Sequence, residues 1–357
     1  MSSIDAHANA AIDLNGSDAA TAAAAVAAAK KKKKRVKKKR SAGGAPVCPY
    51  DHLQIHKLRF ESASEAAAGS SGGLPPLDSL CAKVNANAAN FCFEMRSSPH
   101  AGRFAVASRS VPAAGALVLR ERAYAFCVRY QFLTHVCAHC ASVFDIGAAQ
   151  QQQRCACRAC EQAYYCNAAC RDAHAALHAW QCAALQDLES IVTSTNADVD
   201  LVRAALCVVA QREQHLVEAA AASRSNGDSP SASASAADAA PAISGDLFQP
   251  SLTDVDLMVS HEHDLDDGMR RTGDRMAAAI RQRLPAAATT DAAGILRAAS
   301  VVNANAHSLS RQDEPSKVWG VGLFPLCSLF NHSCYPNMQY CSNGSQLLYR
   351  LLRPVQV

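Results

Sequence analysis

No segment of this 357-residue chain reads as a secretory leader or a membrane span. The N-terminus is polar, and the run Ala20–Ala29 is too weakly apolar and too short for either role. Strong apolar side chains are also scarcer than the composition suggests. The chain is 49% hydrophobic, but much of that is alanine, which buries little area, so the core has to come from scattered Leu, Val, Ile and Phe. Broad positive charge is missing too. The formal charge is +4, yet Lys30–Arg40 ("KKKKKRVKKKR") holds ten of the 35 basic residues. The remainder carries 25 basic against 31 acidic residues, a formal −6. A nucleic-acid contact is therefore expected through this tail alone and not from a basic surface on the body, and no membrane partner is expected.

What the chain does have is cysteine, 16 of them. Without a leader the expected setting is intracellular and reducing, where clustered cysteines read as metal ligands and not as a disulfide framework. Eight cysteines and three histidines fall between Cys137 and Cys182. They form Cys137-x2-Cys140, Cys157-x2-Cys160, Cys166-x3-Cys170 and His178-x3-Cys182. Each CxxC is a chelating turn, and residues four apart share a helical face. Two tetrahedral zinc ions need eight S or N ligands, the number these pairs provide. Cys155 and His174 compete for the same places. The series Cys166, Cys170, His174, His178, Cys182 at constant spacing of four also permits one continuous helix, so spacing leaves His174 open.

Composition divides the rest. Residues 1–47 are Ala-rich, then Lys-rich, and are expected to be disordered, with the basic run a candidate import signal. Ser62–Leu77 reads as a linker. "FAVAS" and "ALVLR" after Gly102 read as strands around a Pro-Ala-Ala-Gly turn. Apolar residues at helical spacing run from Leu185 to Gln214, and further helices are expected over Met269–Leu284 and Ala292–Val302. Glu218–Gly245 reads as a flexible low-complexity loop. Short strands are expected at Gly322–Phe324 and Leu347–Leu352, either side of the polar stretch "FNHSCYPN" from Phe330 to Asn337.

Two resemblances follow from these residues. "CRACEQAYYCNAACRDAHAALHAWQC" (Cys157–Cys182) resembles the MYND-type zinc finger, C-x2-C-x5-C-x3-C-x7-H-x3-C, with Tyr164–Tyr165 before Cys166. That family's cross-brace implies one zinc on Cys137, Cys140, Cys166 and Cys170. It implies the other on Cys157, Cys160, His178 and Cys182. It also implies protein partners, often proline-containing peptides. Two features depart from the family: Ala175 stands where it usually has tryptophan, and "AAQQQQR" lengthens the gap before Cys157.

"WGVGLFPLCSLFNHSCYPN" resembles the NHSCxPN signature of SET-domain lysine methyltransferases, and "SVVNANAHSL" (Ser300–Leu309) resembles their V-x-x-N-x-[FH] segment. A SET half, a finger, a helical stretch and a second SET half is the layout of the SET-and-MYND (SMYD-type) enzymes. The resemblance implies methyl transfer from S-adenosylmethionine to a lysine of a histone or other protein. It implies cofactor contacts at Gly102, Arg103, Asn305, Asn331 and His332. It places Cys334 at a third zinc, if a post-SET segment exists. The polar cluster would then face cofactor on one side and a knotted core and metal on the other. The expected fold is α+β, a split SET β-fold interrupted by a finger and a helical insert. Its parts are a tail and linker (1–97), a first SET part (98–136), the finger (137–182), the insert (183–298, with the loop 218–245) and a C-terminal SET core (299–357). The family's tyrosine segment, "GEEL-x-x-x-Y", is not among these residues. The expectation is therefore a C-terminally incomplete member with no catalytic residue assigned. The second expectation is a zinc-finger adaptor with a degenerate SET scaffold. Nuclear and cytoplasmic residence is expected.

Overall fold

The computed structural model describes residues 79–87, 90–98, 102–144, 155–225, 247–311 and 314–357. The basic run and the Ser62–Leu77 linker lie outside the described residues. The described chain is mixed α and β, with four small sheets.

The largest sheet has the order β10-β11-β3-β7, from Met338–Asn343, Gln346–Leu351, Leu117–Arg122 and Leu247–Phe248. A second has the order β4-β9-β8, from Ala125–Val128, Val318–Leu323 and His307–Ser310. β1 (Phe93–Ser98) and β2 (Gly102–Ala107) form an antiparallel hairpin. β5 (Cys155–Ala156) and β6 (Tyr164–Tyr165) make a two-residue ladder inside the cysteine-rich region. Alternation along the strands decides which face is buried: in β3, Leu119 and Glu121 point inward together.

Helices fill the middle of the chain. α1 spans Ser79–Ala86, α2 Ala168–Ala179, α3 Cys182–Gln186, α4 Leu188–Thr195 and α5 Val199–Ser225. α6 spans Leu252–Asp256, α7 Asp267–Arg281 and α8 Ala292–Asn305. α5 is buried along much of its length through Leu201, Val202, Ala205, Leu206 and Val209, which pack with Met276, Ile280 and Ile295 of α7 and α8. Each fully buried aliphatic of this kind contributes about 1.5–3 kcal/mol over an exposed one. Caps set the helix starts. Asp266 and Asp291 accept from the amides of Met269 and Gly294, and Ser251 and Asp254 form a reciprocal box at α6. No described helix is long and apolar enough to cross a membrane.

Four expectations need correction. Residues 79–97 are not tail or linker: α1 buries Leu80, Cys81 and Val84, and β1 pairs with β2, because apolar residues cluster where the preceding composition had suggested none. The low-complexity loop does not begin at Glu218, since α5 continues to Ser225 on alanines, the strongest helix formers. Cys166 to Cys182 is not one helix. Cys166 precedes α2 and Cys182 opens α3 beyond Trp180 and Gln181. Asn331–Asn337 is not packed into a core; every residue in it is exposed.

Candidate metal centres and cofactor cleft

Two groups of four ligands converge. Cys137, Cys140, Cys166 and Cys170 form one, and Cys157, Cys160, His178 and Cys182 the other, with all ligand atoms of each within 4.8 Å of one another. The groups interleave along the chain, so one ion would tie the first knuckle to Cys166 and Cys170, and the other the second knuckle to His178 and Cys182. Local structure sets the pairs in place. Asn167 caps α2 by accepting from the Cys170 amide (2.9 Å), which puts Cys170 one turn from Cys166. His178 lies near the end of the same helix.

Both CxxC turns share one backbone solution. The Ala141 amide donates to Cys137 O (3.0 Å), and the Glu161 amide donates to Cys157 O (2.9 Å). The residue after each second cysteine turns left-handed, Ala141 at φ 59° and Glu161 at φ 54°. Neither is glycine, so each holds strain of about 1–2 kcal/mol that its surroundings must offset. Those two residues were not anticipated from spacing. The repeated step from the second Cys to a non-glycine residue was the available signal.

The distances fit zinc. A tetrahedral ion with Zn–S near 2.3 Å requires S···S edges of about 3.8 Å. The Sγ atoms of Cys140 and Cys166 are 3.8 Å apart, and those of Cys157 and Cys182 3.7 Å. Cys166 and Cys170 stand closer, at 3.3 Å. Cys160 Sγ lies 3.5 Å from His178 Nε2. The two cysteine-rich groups are suited to hold zinc ions.

Electrostatics point the same way. Burial, and then the surrounding thiols, push Cys160 up to about 12. Burial raises Cys170 further still, followed by Cys166, Cys137 and Cys140 beside it. Burial would also raise Cys140, but donors on Ser142 and the Cys137 and Cys166 thiols outweigh it and bring Cys140 down to about 7. Cys160 and Cys170 thus resist losing their protons, and a divalent cation removes that cost. Burial, then Arg203, lowers His178, which favours the neutral imidazole that ligates metal.

The competing residues fall outside both groups. His174 is buried, and its Nδ1 meets the Tyr165 hydroxyl at 3.1 Å. Burial, then His178 and His139, pushes it down to about 4, so it is a neutral bracing residue. Cys155 sits on β5 opposite Tyr165. Arg203 fixes this region to the body. It is buried, donates through Nη1 and Nη2 to Gln162 Oε1 and O (3.3 and 3.2 Å), and through Nε to Val128 O (3.3 Å).

Three of the five expected cofactor contacts meet elsewhere. Gly102, Arg103 and Asn305 line one cleft of about 420 Å³, within the range of small-ligand pockets. Ser98, Met258 and Ser328 complete much of its wall. Asn305 ends α8 and donates from Nδ2 to Val259 O (2.7 Å) and Val301 O (2.9 Å), leaving Oδ1 as an acceptor. Arg103 donates to Leu257 O at 3.3 Å. Gly102 has φ +62°, a conformation that glycine adopts without strain and that starts β2. Asn331 and His332 do not line this cleft. His332 Nε2 instead lies 3.4 Å from Cys334 Sγ on the exposed loop, and Cys334 belongs to neither four-ligand group.

Sequence reasoning missed Glu121. Its carboxylate is fully buried and accepts from the amides of Leu326 (3.0 Å) and Cys327 (2.6 Å), anchoring the segment that leads to Phe330. Burial raises it to about 7, against hydrogen bonds from Cys327 and Leu326 that pull the other way. The strand period that buries Leu119 also buries a residue two on, and that was the signal.

No family model matches the chain. A 38-residue stretch is 53% identical to histone-lysine N-methyltransferase SMYD3 of Homo sapiens. It covers 11% of this chain and 9% of that protein. The likeness is to a methyltransferase, over a short part of each.

Proposed function

We propose that this chain is of the SET-and-MYND type of protein-lysine methyltransferase and uses S-adenosylmethionine. The observation that carries the reading is the convergence of Gly102, Arg103 and Asn305 on one cleft from positions some 200 residues apart. The order of strands, a cysteine-rich region, helices and further strands along the chain supports the same reading, as does the short likeness to a histone-lysine methyltransferase.

In this cleft Asn305, through its Oδ1 acceptor, and Arg103, through its positive charge, would hold the amino-acid end of the cofactor. The Gly102 backbone approaches closely, since no Cβ stands in the way. When bound, the cofactor supplies an electrophilic methyl group. A substrate lysine has an ordinary pKa of about 10.4, so it must lose its proton before it can attack. A narrow, desolvated channel favours the neutral amine and aligns it with the methyl. No catalytic residue is assigned. The two zinc ions act structurally, and the finger offers a surface to protein partners such as proline-containing peptides. Substrates of histone or other protein type, and nuclear and cytoplasmic residence, belong to the same proposal.

One observation favours a second reading. Asn331 and His332 stand on an exposed loop and do not line the cleft, as in a zinc-finger adaptor with a degenerate SET scaffold. Incubation of the zinc-loaded protein with methyl-labelled S-adenosylmethionine and core histones separates the two. Label on lysine supports the enzyme. No label on histones or on a whole-cell protein extract supports the adaptor.

A further inference from the structure

One wall of the cleft that holds Gly102, Arg103 and Asn305 is made by Asp254, Met258 and Val259, in α6 and just past its end. A helix leaves its last carbonyls without intrahelical partners, and they have to find donors elsewhere. The amides of Leu257 and Met258 donate back to Thr253 O (3.2 Å) and Val255 O (3.0 Å). Side chains take the next four carbonyls in a row. Arg297 Nη2 donates to Asp256 O (2.9 Å) and Met258 O (3.2 Å). Arg103 donates to Leu257 O at 3.3 Å, and Asn305 Nδ2 to Val259 O at 2.7 Å. Arg297 Nη1 also donates to the hydroxyl of Ser260 (3.0 Å), a buried residue.

The donors alternate in kind. Arg103 and Asn305 line the cleft, and Arg297 does not. Arg297 stands on α8, eight residues and about two turns before Asn305. Its planar guanidinium presents N–H donors in a fixed fork, so one side chain holds two carbonyls and a hydroxyl in a single geometry. A lysine ammonium has the charge without the fork. The segment is fixed at its start as well. Asp254 caps α6 with Ser251, and its buried carboxylate pairs with Lys83 of α1 at 2.9 Å. Arg103 and Asn305 each commit a donor to this segment, so where residues 256–260 sit decides where those two side chains point.

We infer that Arg297 is a positioning residue for the cleft: by holding residues 256–260 on α8 it sets the orientation of Arg103 and Asn305, and so the affinity for the amino-acid end of S-adenosylmethionine. The inference rests on the cofactor reading of the cleft.

Calorimetric titration of S-adenosylmethionine into the zinc-loaded full chain tests it. Arg297→Ala is expected to weaken binding about fivefold, less than loss of a direct contact. In an Asn305→Ala background the same substitution should weaken it only about twofold, because it acts through the residue already removed. Arg297→Lys, the milder change, should still bind about threefold more weakly than the parent, since charge alone does not lace the segment. Arg275→Ala, which removes a guanidinium bond to Thr195 O (3.2 Å), should leave the affinity unchanged. Without cofactor, hydrogen exchange at the Leu257 and Met258 amides should quicken in Arg297→Ala, with zinc content as in the parent. Parent-like affinity in a zinc-loaded Arg297→Ala, the same loss in the Asn305→Ala background as in the parent, full affinity in Arg297→Lys, or unaltered exchange at Leu257 and Met258 would each overturn the inference and leave the cofactor reading standing. No binding by the parent would overturn the cofactor reading itself, and the inference with it.

Discussion

The cysteine-rich region and the candidate cofactor cleft are assembled in opposite ways. The eight candidate ligands lie within 46 residues, in local pairs, and both groups of four form inside that stretch. The cleft joins Gly102 at the start of β2 to Asn305 at the end of α8, and depends on two strands, a long helical insert and a buried carboxylate to bring them face to face. The first depends on chelation, the second on tertiary packing. Metal should therefore control the finger, and core chemistry should control the cleft.

The largest effect expected is on the finger. Zinc binding in finger peptides is worth about 10–16 kcal/mol in apparent terms. A strong chelator should release two zinc ions per chain and unfold residues 137–182, with helix signal from α5, α7 and α8 retained. Metal analysis and hydrogen exchange would check this. A finger that stays protected without metal would break the contrast.

Next comes Glu121, which supports the cleft side. Glu121→Ala strips two buried amides, Leu326 and Cys327, of their acceptor, and should cost about 2–5 kcal/mol in denaturant unfolding. Its pH dependence has a defined sign. With the folded value raised to about 7, the unfolded chain ionises first, so Glu121's contribution to stability is complete below about 4.5 and is lost as pH rises through 7. The loss is on the order of 3 kcal/mol. His307 opposes this: burial pushes it down to about 4, so its contribution is lost as pH falls through that value. The difference between the parent and Glu121→Gln isolates the carboxylate. It should shrink as pH rises from about 4.5 to 7 and level off above; a difference independent of pH over that range would show that Glu121 ionises normally.

A smaller effect sharpens the view of the knuckles. Glu161 is exposed and left-handed at φ 54°. Glu161→Gly should relieve about 1 kcal/mol and raise the melting temperature of the zinc-loaded protein. A lower melting temperature would mean that the Glu161 side chain makes a stabilising contact of greater worth than the strain.

What was legible in the sequence follows the same division. The ligand pairs could be written down from spacing because chelating pairs are local, whereas their sorting into two groups came from the resemblance to the MYND finger, and His174 was left open because helical spacing alone does not say that Tyr165 would meet it. The strands after Gly102 and the helices over 267–305 announced themselves by period. α1 and β1 did not, because their few apolar residues follow a long low-complexity stretch and gain their burial only by packing on distant strands. The Asn331–Asn337 loop was expected to face a cofactor and a knotted core, and it is exposed instead for a related reason. Its residue types suggest a polar core, but whether a turn is covered depends on what packs over it.

Titration of S-adenosylmethionine into the zinc-loaded chain by isothermal calorimetry tests the central claim most directly. A saturable site, weakened about tenfold by Asn305→Ala with zinc content and helix signal unchanged, is the expected result. No binding by the unaltered chain, or an affinity that Asn305→Ala leaves untouched, would contradict the cofactor assignment and leave the zinc-finger adaptor in its place.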